Sequence, residues 1–297
     1  PKHQTVDAGI TVRGADNVKI LRNRIRDCLF GINFEQTNRS VIEDNDITSL
    51  PVSLGLKGDG IRLWYSHGNL IRMNRTRYVR DNVFWYSSAN KIYENSGADS
   101  RYSLHFMYAD RNEILSNDYR RNSVGIFLMF SQGSTLKRNF VADSTGPFGI
   151  GIGMKESSDI LVEENQILYN ARGFYLDSSP YQPGTFNTFR GNEINFNTTA
   201  FLLHGTLLPS LFESNVFKGN IEDVANDTPE SKLEINTWRS NYWDNYEGFD
   251  RNDDGYGDIP HEQWMYADRI WSYLPAAKFF YASPVLDFMN FLWRLMP

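Results

Sequence analysis

The chain of 297 residues contains a single cysteine, Cys28. With no second thiol there is no intrachain disulfide framework, no CxxC redox pair and no thiolate-rich zinc site. Cys28 lies in an apolar run with Leu29, Phe30 and Ile32, where a free thiol reads as a small buried hydrophobe, the other reading being a reactive or ligating thiol. Long apolar runs are missing too: no stretch of about 18 apolar residues exists to cross a bilayer. No secretory leader stands at the start, but Pro1 already falls inside a repeat, so further sequence carrying export information is expected to precede it. There is no block of Lys and Arg, and the net charge is −6, which argues against nucleic acid and anionic lipid as main partners. No amphipathic helical stretch of normal length occurs before the C-terminus. Aromatics, in contrast, are plentiful (20 Phe, 16 Tyr and 7 Trp), and rings in excess of core needs collect on contact surfaces.

What the sequence does have is a repeat. Asn23, Asn45, Asn74, Asn95, Asn117, Asn139, Asn165, Asn192 and Asn215 recur at intervals of 21 to 29 residues, most often 22. Three positions before each stands a large apolar residue: Ile20, Ile42, Ile71, Ile92, Ile114, Leu136, Val162, Phe189 and Phe212. Around these anchors apolar and polar residues alternate with period two, the mark of strands with one buried face. Short strands at a fixed period of this length form a solenoid. The expectation is an all-β, right-handed parallel β-helix of about nine coils, with a C-terminal cap and a helical tail. Asn side chains at equivalent turns would stack between coils, and Asn tolerates the left-handed conformation. The longer intervals carry loops at 50–58, 146–149 and 178–184; insertions in solenoids often collect on the binding face. The organisation read from composition is a β-helix over 1–235, a Trp/Asn/Asp-rich capping segment over 236–262 and a helical apolar tail over 263–297.

Three features carry candidate chemistry. Asp250, Asn252, Asp254, Tyr256 and Asp258 match the first half of a calcium loop: oxygen ligands at positions 1, 3 and 5, a turn glycine (Gly255) at 6, a backbone carbonyl at 7. The bidentate Glu expected at position 12 is missing, His261 standing there, and the alternative is a turn closed by Asx hydrogen bonds.

The second feature emerges from registering the coils. Ten residues before the anchoring Asn stand Trp64, Trp85, Met107, Met129 and Lys155; two residues earlier stand Arg62, Val83, His105, Phe127 and Gly153. Alternation sets Leu104, Phe106 and Tyr108 on the opposite face, with Ile126, Leu128 and Phe130. If that set is the core, His105, Met107 and Met129 share an outer face. Thioether and imidazole are the donors that Cu(I) selects. An outward Met and Trp stripe is more often just a protein-contact surface. Met154 falls on the core side. His3, His67, His204 and His261 lack ligand spacing and read as structural or solvated.

The third is the tail. Ser283 can cap a helix and Pro284 suits its first turn. Val285, Leu286, Phe288, Met289, Phe291, Leu292, Trp293 and Leu295 cover more than one apolar face, in a run too short to span a bilayer. It would either cap the β-helix or dock on a membrane protein or the lipid interface.

Asn241-Tyr242-Trp243-Asp244-Asn245-Tyr246, running into Asp250 through Pro260, resembles a Trp-, Asn- and Asp-rich block of the NosD family, and the segments at 266–271 and 277–286 resemble that family's C-terminus. The resemblance implies a β-helical, periplasmic, non-enzymatic maturation factor for the copper–sulfur centre of nitrous oxide reductase. It would work with an ABC transporter through a NosY-type permease, and meet a NosL-type copper chaperone and the reductase itself, peripheral to the membrane. Trp64, Trp85 and the apolar tail are then candidate docking residues. Copper would be a transient cargo, and calcium a structural ion. Two other classes compete. A β-helical polysaccharide lyase, hydrolase or epimerase needs clustered carboxylates or cations in its groove; Lys57, Asp59 and Arg62 are the best candidates, and no G-H-G, N-T-D or D-P-H triplet is present. A plain adhesin is the other.

Overall fold

A computed structural model describes residues 8–228, 231, 233–261, 280 and 283–295. The chain divides into two compact units, residues 1–244 and 245–297. The first is a right-handed parallel β-helix. Among the described residues its strands form three ten-stranded parallel sheets, each coil contributing one strand to each. One coil shows the plan: Tyr102–Met107 belongs to the first sheet, Glu113–Leu115 to the second and Asp118–Arg120 to the third.

The coils number ten, one more than the repeat of Asn anchors suggests. The tenth is made by Glu222–Asn226, Thr237–Arg239 and Tyr242–Trp243, with Asn241 as its rung. Residues 236–243, grouped by composition with the capping segment, thus complete the solenoid. Its interior ends on two indoles. Trp238 stacks on Phe212 at 3.9 Å between ring centroids, and Trp243 on Phe217 at 4.1 Å. The last apolar layer is therefore covered from within the repeat itself.

Each strand alternates between a shared interior and the outside. Leu104, Phe106, Ile126, Leu128 and Met154 all point into one core that runs the length of the helix. Phenylalanines stack along it, as in Phe84 on Phe106 (4.8 Å) and Phe174 on Phe201 (4.4 Å). Strand alternation stops at the corners. Tyr108 and Phe130 do not face the core as the period-two reading has it; each follows the end of its strand at positive φ (51° and 53°) and turns outward.

The corners explain the Asn repeat. The amide oxygen of Asn117 accepts from both the backbone N–H and the side-chain amide of Asn95, at 2.9 and 3.0 Å, while its own amide donates to Ile92 O at 2.9 Å. The same three-bond unit recurs from coil to coil, and the ladder residues from Asn74 to Asn215 are buried. The left-handed conformation falls on the residue before each rung, such as Glu94 (φ 53°) or Ser116 (φ 56°), and not on the Asn. That conformation costs about 1 kcal/mol at a non-glycine residue; the buried hydrogen bonds that follow each corner offset it. The sequence reading found one ladder. The fold has more: Asn69 to Asn90 to Asn112, Asn170 to Asn197 to Asn220, and a hydroxyl series through Ser66, Ser87, Ser131, Ser157 and Ser179.

The second unit carries the Asp250–Asp258 loop and one described α-helix, α1 (Pro284–Leu295). Among the described residues, no helix is long and apolar enough to cross a membrane.

Candidate functional site on the outer face of the first sheet

All three insertions adjoin the first sheet. Residues 50–60 and 143–149 lead into its strands, and residues 178–186 lead out of one. They frame a face whose outward residues change in kind along the solenoid. In strict register across it run Glu35, Trp64, Trp85, Met107, Met129, Lys155, Asp177 and His204. Beside that row lies a second: Arg62, Val83, His105, Phe127, Gly153 and Tyr175.

His105 and Met129, from adjacent coils, come into contact: His105 Nε2 lies 3.3 Å from Met129 Sδ. Met107 is the register partner of Met129 on one side and of Trp85 on the other. The imidazole is held as well as placed. Its ring stacks on Tyr102 at 4.6 Å and meets Phe127 edge-on at 6.5 Å. Burial lowers the His105 pKa, with Arg101 and Arg80 adding to the shift and Asp81 opposing it. The ring is therefore neutral at pH 7, with a lone pair available to a soft metal. Phe127, Val124 and Ile150 form a separate apolar cluster here, packed by Tyr102, Met129 and Tyr175. Gly153 makes it feasible: a Cβ there would come within 2.3 Å of the Phe127 ring, so only glycine lets that ring lie over the next coil.

An aromatic column borders the row, and the sequence reading missed it because it set Tyr108 and Phe130 inside. Tyr65, Tyr86, Tyr108 and Phe130 occupy successive corners and stack at centroid separations of 4.8, 5.2 and 4.8 Å. A signal was present: an aromatic residue directly follows each of Trp64, Trp85, Met107 and Met129. Trp64 and Trp85 meet edge-to-face at 4.9 Å, and Trp85 Nε1 is buried with no hydrogen-bond acceptor among the described residues.

The residues that would suit a glycan-processing site are tied up in one ion-paired cluster: Arg80 binds both Asp59 and Asp81, at 2.8 and 3.5 Å, and Arg62 acts on the Asp59 carboxyl. Asp59 is 4% exposed, bound by Arg80 at 2.8 Å, its pKa raised by burial. Asp81, 1% exposed, is held by Arg101. Lys57 donates to Leu50 O at 2.5 Å, and Arg62 lies 5.7 Å from the Trp64 ring.

In the second unit, the Asp250–Asp258 carboxylates serve the loop's own backbone. Asp250 accepts from Gly255 N–H (2.8 Å), Asp254 from Tyr256 N–H (2.8 Å) and Asp258 from Arg251 N–H (2.8 Å), with Gly255 at φ 85°. Among the described residues no group of three or more His, Cys, Asp or Glu is arranged to hold a metal ion. In α1 the Ser283 hydroxyl accepts from Leu286 N–H at 3.4 Å, as an N-cap. Val285, Phe288, Phe291, Leu292 and Leu295 are exposed, and Leu286 and Met289 half-buried. The Trp293 side chain, like most of 263–282, lies outside the described residues.

Comparison with known proteins decides the family. The family described as "Periplasmic copper-binding protein (NosD)" matches residues 48–248, more than half of the chain. The chain belongs to the NosD family. A right-handed β-helix region matches residues 3–79 as well. Two proteins named "Probable ABC transporter binding protein NosD" are similar. That of Stutzerimonas stutzeri is 28% identical over 58% of this chain and 36% of its own length; that of Pseudomonas aeruginosa is 30% identical over 38% and 26%. The chain thus spans about a third of those relatives. Among solved structures, the A-module of an Azotobacter vinelandii mannuronan C-5 epimerase superposes with a TM-score of 0.62 at 16% identity, covering 76% of this chain and 64% of that one. A periplasmic alginate epimerase gives 0.61 at 16%, covering 75% and 61%. At such identities the likeness is one of fold. The NosD match takes in His105, Met107, Met129 and both tryptophans of the outer row, and it ends before the Asp250–Asp258 loop and α1.

Proposed function

We propose that this NosD-family chain is a periplasmic accessory factor for assembly of the copper–sulfur centre of nitrous oxide reductase, and that it handles Cu(I) on the outer face of its first sheet. The observation that carries the reading is the half-buried pair of His105 Nε2 and Met129 Sδ, 3.3 Å apart, with Met107 in the adjoining coil. A neutral imidazole beside thioethers is a donor set that suits Cu(I), and thioethers have little affinity for hard, oxygen-seeking ions such as Mg²⁺. The surrounding Tyr102, Phe127 and Trp85 rings exclude water around the donors.

The protein acts by docking and not by covalent catalysis. The ion-paired state of Asp59 and Asp81 supports this, as does the naming of the relatives as transporter-binding proteins. Its partners are a NosY-type ABC permease, a NosL-type copper chaperone and the reductase. The exposed apolar residues of α1 suit the permease, because exposed apolar surface marks contact sites, while the half-buried Trp64 and Trp85 suit the soluble partners, because aromatic residues are enriched at interfaces. ATP hydrolysis would move the permease and, through α1, the solenoid. Calcium at Asp250–Asp258 would stiffen the loop.

The test is an anaerobic Cu(I) competition titration against a chromophoric chelator. Near-stoichiometric binding by the wild type, lost in the triple variant H105A/M107A/M129A, is expected. Absence of binding by the wild type would remove the copper role and leave an adaptor. Deletion of 283–297 should abolish co-purification with the permease, and unchanged co-purification would remove α1 from the docking scheme.

A further inference from the structure

We propose that the outer face of the third sheet docks an acidic segment of a partner protein, with one carboxylate seated in a notch between Arg75, Arg77 and Arg120. The notch is an open cavity of about 290 Å³. Its floor is a local thinning of the sheet. Ser96 and Ala98 face outward in one coil, in register with Arg75 and Arg77 of the coil before and with Asp118 and Arg120 of the coil after. Short side chains between long ones leave a depression one strand wide, with guanidinium groups on its rim.

The charges around it are unevenly paired. Among the outward strand positions from Arg24 to Arg120 there are five arginines and three aspartates, Asp27, Asp46 and Asp118, in a chain whose net charge is −6. Asp46 stands among three guanidiniums, those of Arg26 (2.9 Å), Arg77 (3.2 Å) and Arg24 (3.7 Å); burial pushes its carboxyl up, and Arg77 and Arg26 together outweigh that and hold it below the usual range. Arg120 is neutralised by Asp118 in a two-point pair. Arg75 is exposed and makes no ion pair among the described residues. Arg77 Nε is buried with no acceptor. The corner that follows adds the Asp99–Arg121 pair and Asp143, whose charge acts on Arg120 and Arg121, so that Arg75 is the arginine of this face left without an ion-pair partner among the described residues.

Guanidinium forks with unused donors are the preferred partners of carboxylates. A small free anion would need only the notch. Arginines instead line this face over a span of five coils, about 19 Å at the spacing of paired strands, which fits an extended acidic chain that places one carboxylate in the notch and others beside Arg24 and Arg26. Such a surface steers association and selects partners by charge. This face is not the one that carries His105 and Met129, so the inference stands independently of copper handling.

The test uses the full chain, with a fluorescein-labelled deca-glutamate peptide followed by anisotropy at low ionic strength. Arg75→Glu should weaken binding at least tenfold. Arg111→Glu, the same charge change at an exposed corner elsewhere, should weaken it less than twofold. Ser96→Arg separates seating from general attraction: it adds positive charge but fills the notch, so weaker binding is expected, and tighter binding would overturn the seat. Equal losses in the two glutamate variants would reduce the effect to the overall field and overturn the proposal. So would complete displacement of the peptide by millimolar inorganic phosphate, tighter binding of an oligouronate than of the peptide, or no binding at all. Thermal melts accompany each variant; if Arg75→Glu melts early, Arg75→Gln replaces it, with a threefold or greater loss expected.

Discussion

The inner and outer walls of the first sheet are built from the same strands, yet they follow opposite rules. Inside, coil after coil repeats itself: large apolar side chains stack on their own kind, with the same regularity as the Asn rungs at the corner between the second and third sheets, each of which binds the next through the same three hydrogen bonds. Outside, the row from Glu35 to His204 runs through Glu, two Trp, two Met, Lys, Asp and His, so no one residue type is kept along it. Repetition marks what the fold requires. Where the repeat is abandoned on an otherwise regular frame, the residues are free to be chosen for something else, and His105, Met107 and Met129 sit in such a stretch.

The contrast can be broken most severely at a rung. Asn117→Ala strips acceptors from the N–H and side-chain amide of Asn95 and a donor from Ile92 O, all buried. A loss of about 4 kcal/mol is expected from the stranded groups, measured by urea unfolding. Asn23→Ala, in the first coil with nothing described before it, should cost less than half as much.

A sharper comparison pairs two methionines of neighbouring coils. Met154 is fully buried and Met129 half-exposed. Met154→Ala should cost about 3 kcal/mol and leave Cu(I) affinity unchanged. Met129→Ala should do the reverse: stability within about 1 kcal/mol of wild type and chelator competition weakened about tenfold, or roughly 1.4 kcal/mol. If both lose stability alike and neither changes Cu(I) binding, the outer wall is as structural as the inner one.

Asp223 is an interior group that breaks the apolar rule. Burial raises its pKa to about 6, with Asp244 and Glu222 adding to the shift and Asn220 opposing it. A carboxyl with a raised folded pKa stabilises the native state below its unfolded value and loses that contribution as pH rises through about 6. Asp223→Asn should therefore be more stable than wild type at pH 8, by about 2 kcal/mol, and no more stable at pH 3.5. A gap that does not change with pH would mean the carboxyl is solvated.

The smallest effect is expected in the second unit. Asp254→Ala removes loop hydrogen bonds in full exposure and should shift stability by less than about 0.5 kcal/mol without added metal. Millimolar CaCl₂ should raise the wild-type melting temperature and not that of the variant. No response in the wild type would leave an Asx turn.

Most of the solenoid was legible in the sequence because its period is imposed by a hydrogen-bonding side chain that must recur. The facing of Leu104, His105, Phe106 and Met107 followed from strand alternation alone. The tenth coil was missed because its rung, Asn241, lies within a stretch dominated by Trp and Asp. Tyr108 and Phe130 were misplaced because alternation says nothing about where a strand stops, and one left-handed residue is enough to turn a side chain from core to surface. The Arg75–Arg120 notch was invisible for a different reason: its members are separated by whole coils, and the small residues that create it carry no chemical signal of their own.

The rungs also set how the molecule can change. Asn45 reaches Asn74 across 29 residues with the same bond, 2.9 Å, that joins Asn139 to Asn165 across 26, and Asn95 to Asn117 across 22 at 3.0 Å. The ladder measures distance along the axis and is indifferent to how much chain was used to get there. The bends at 50–60 and 143–149 are therefore ports: a lineage can lengthen, shorten or replace what hangs from them beside the first sheet, and the architecture carries the new part without having to be redesigned.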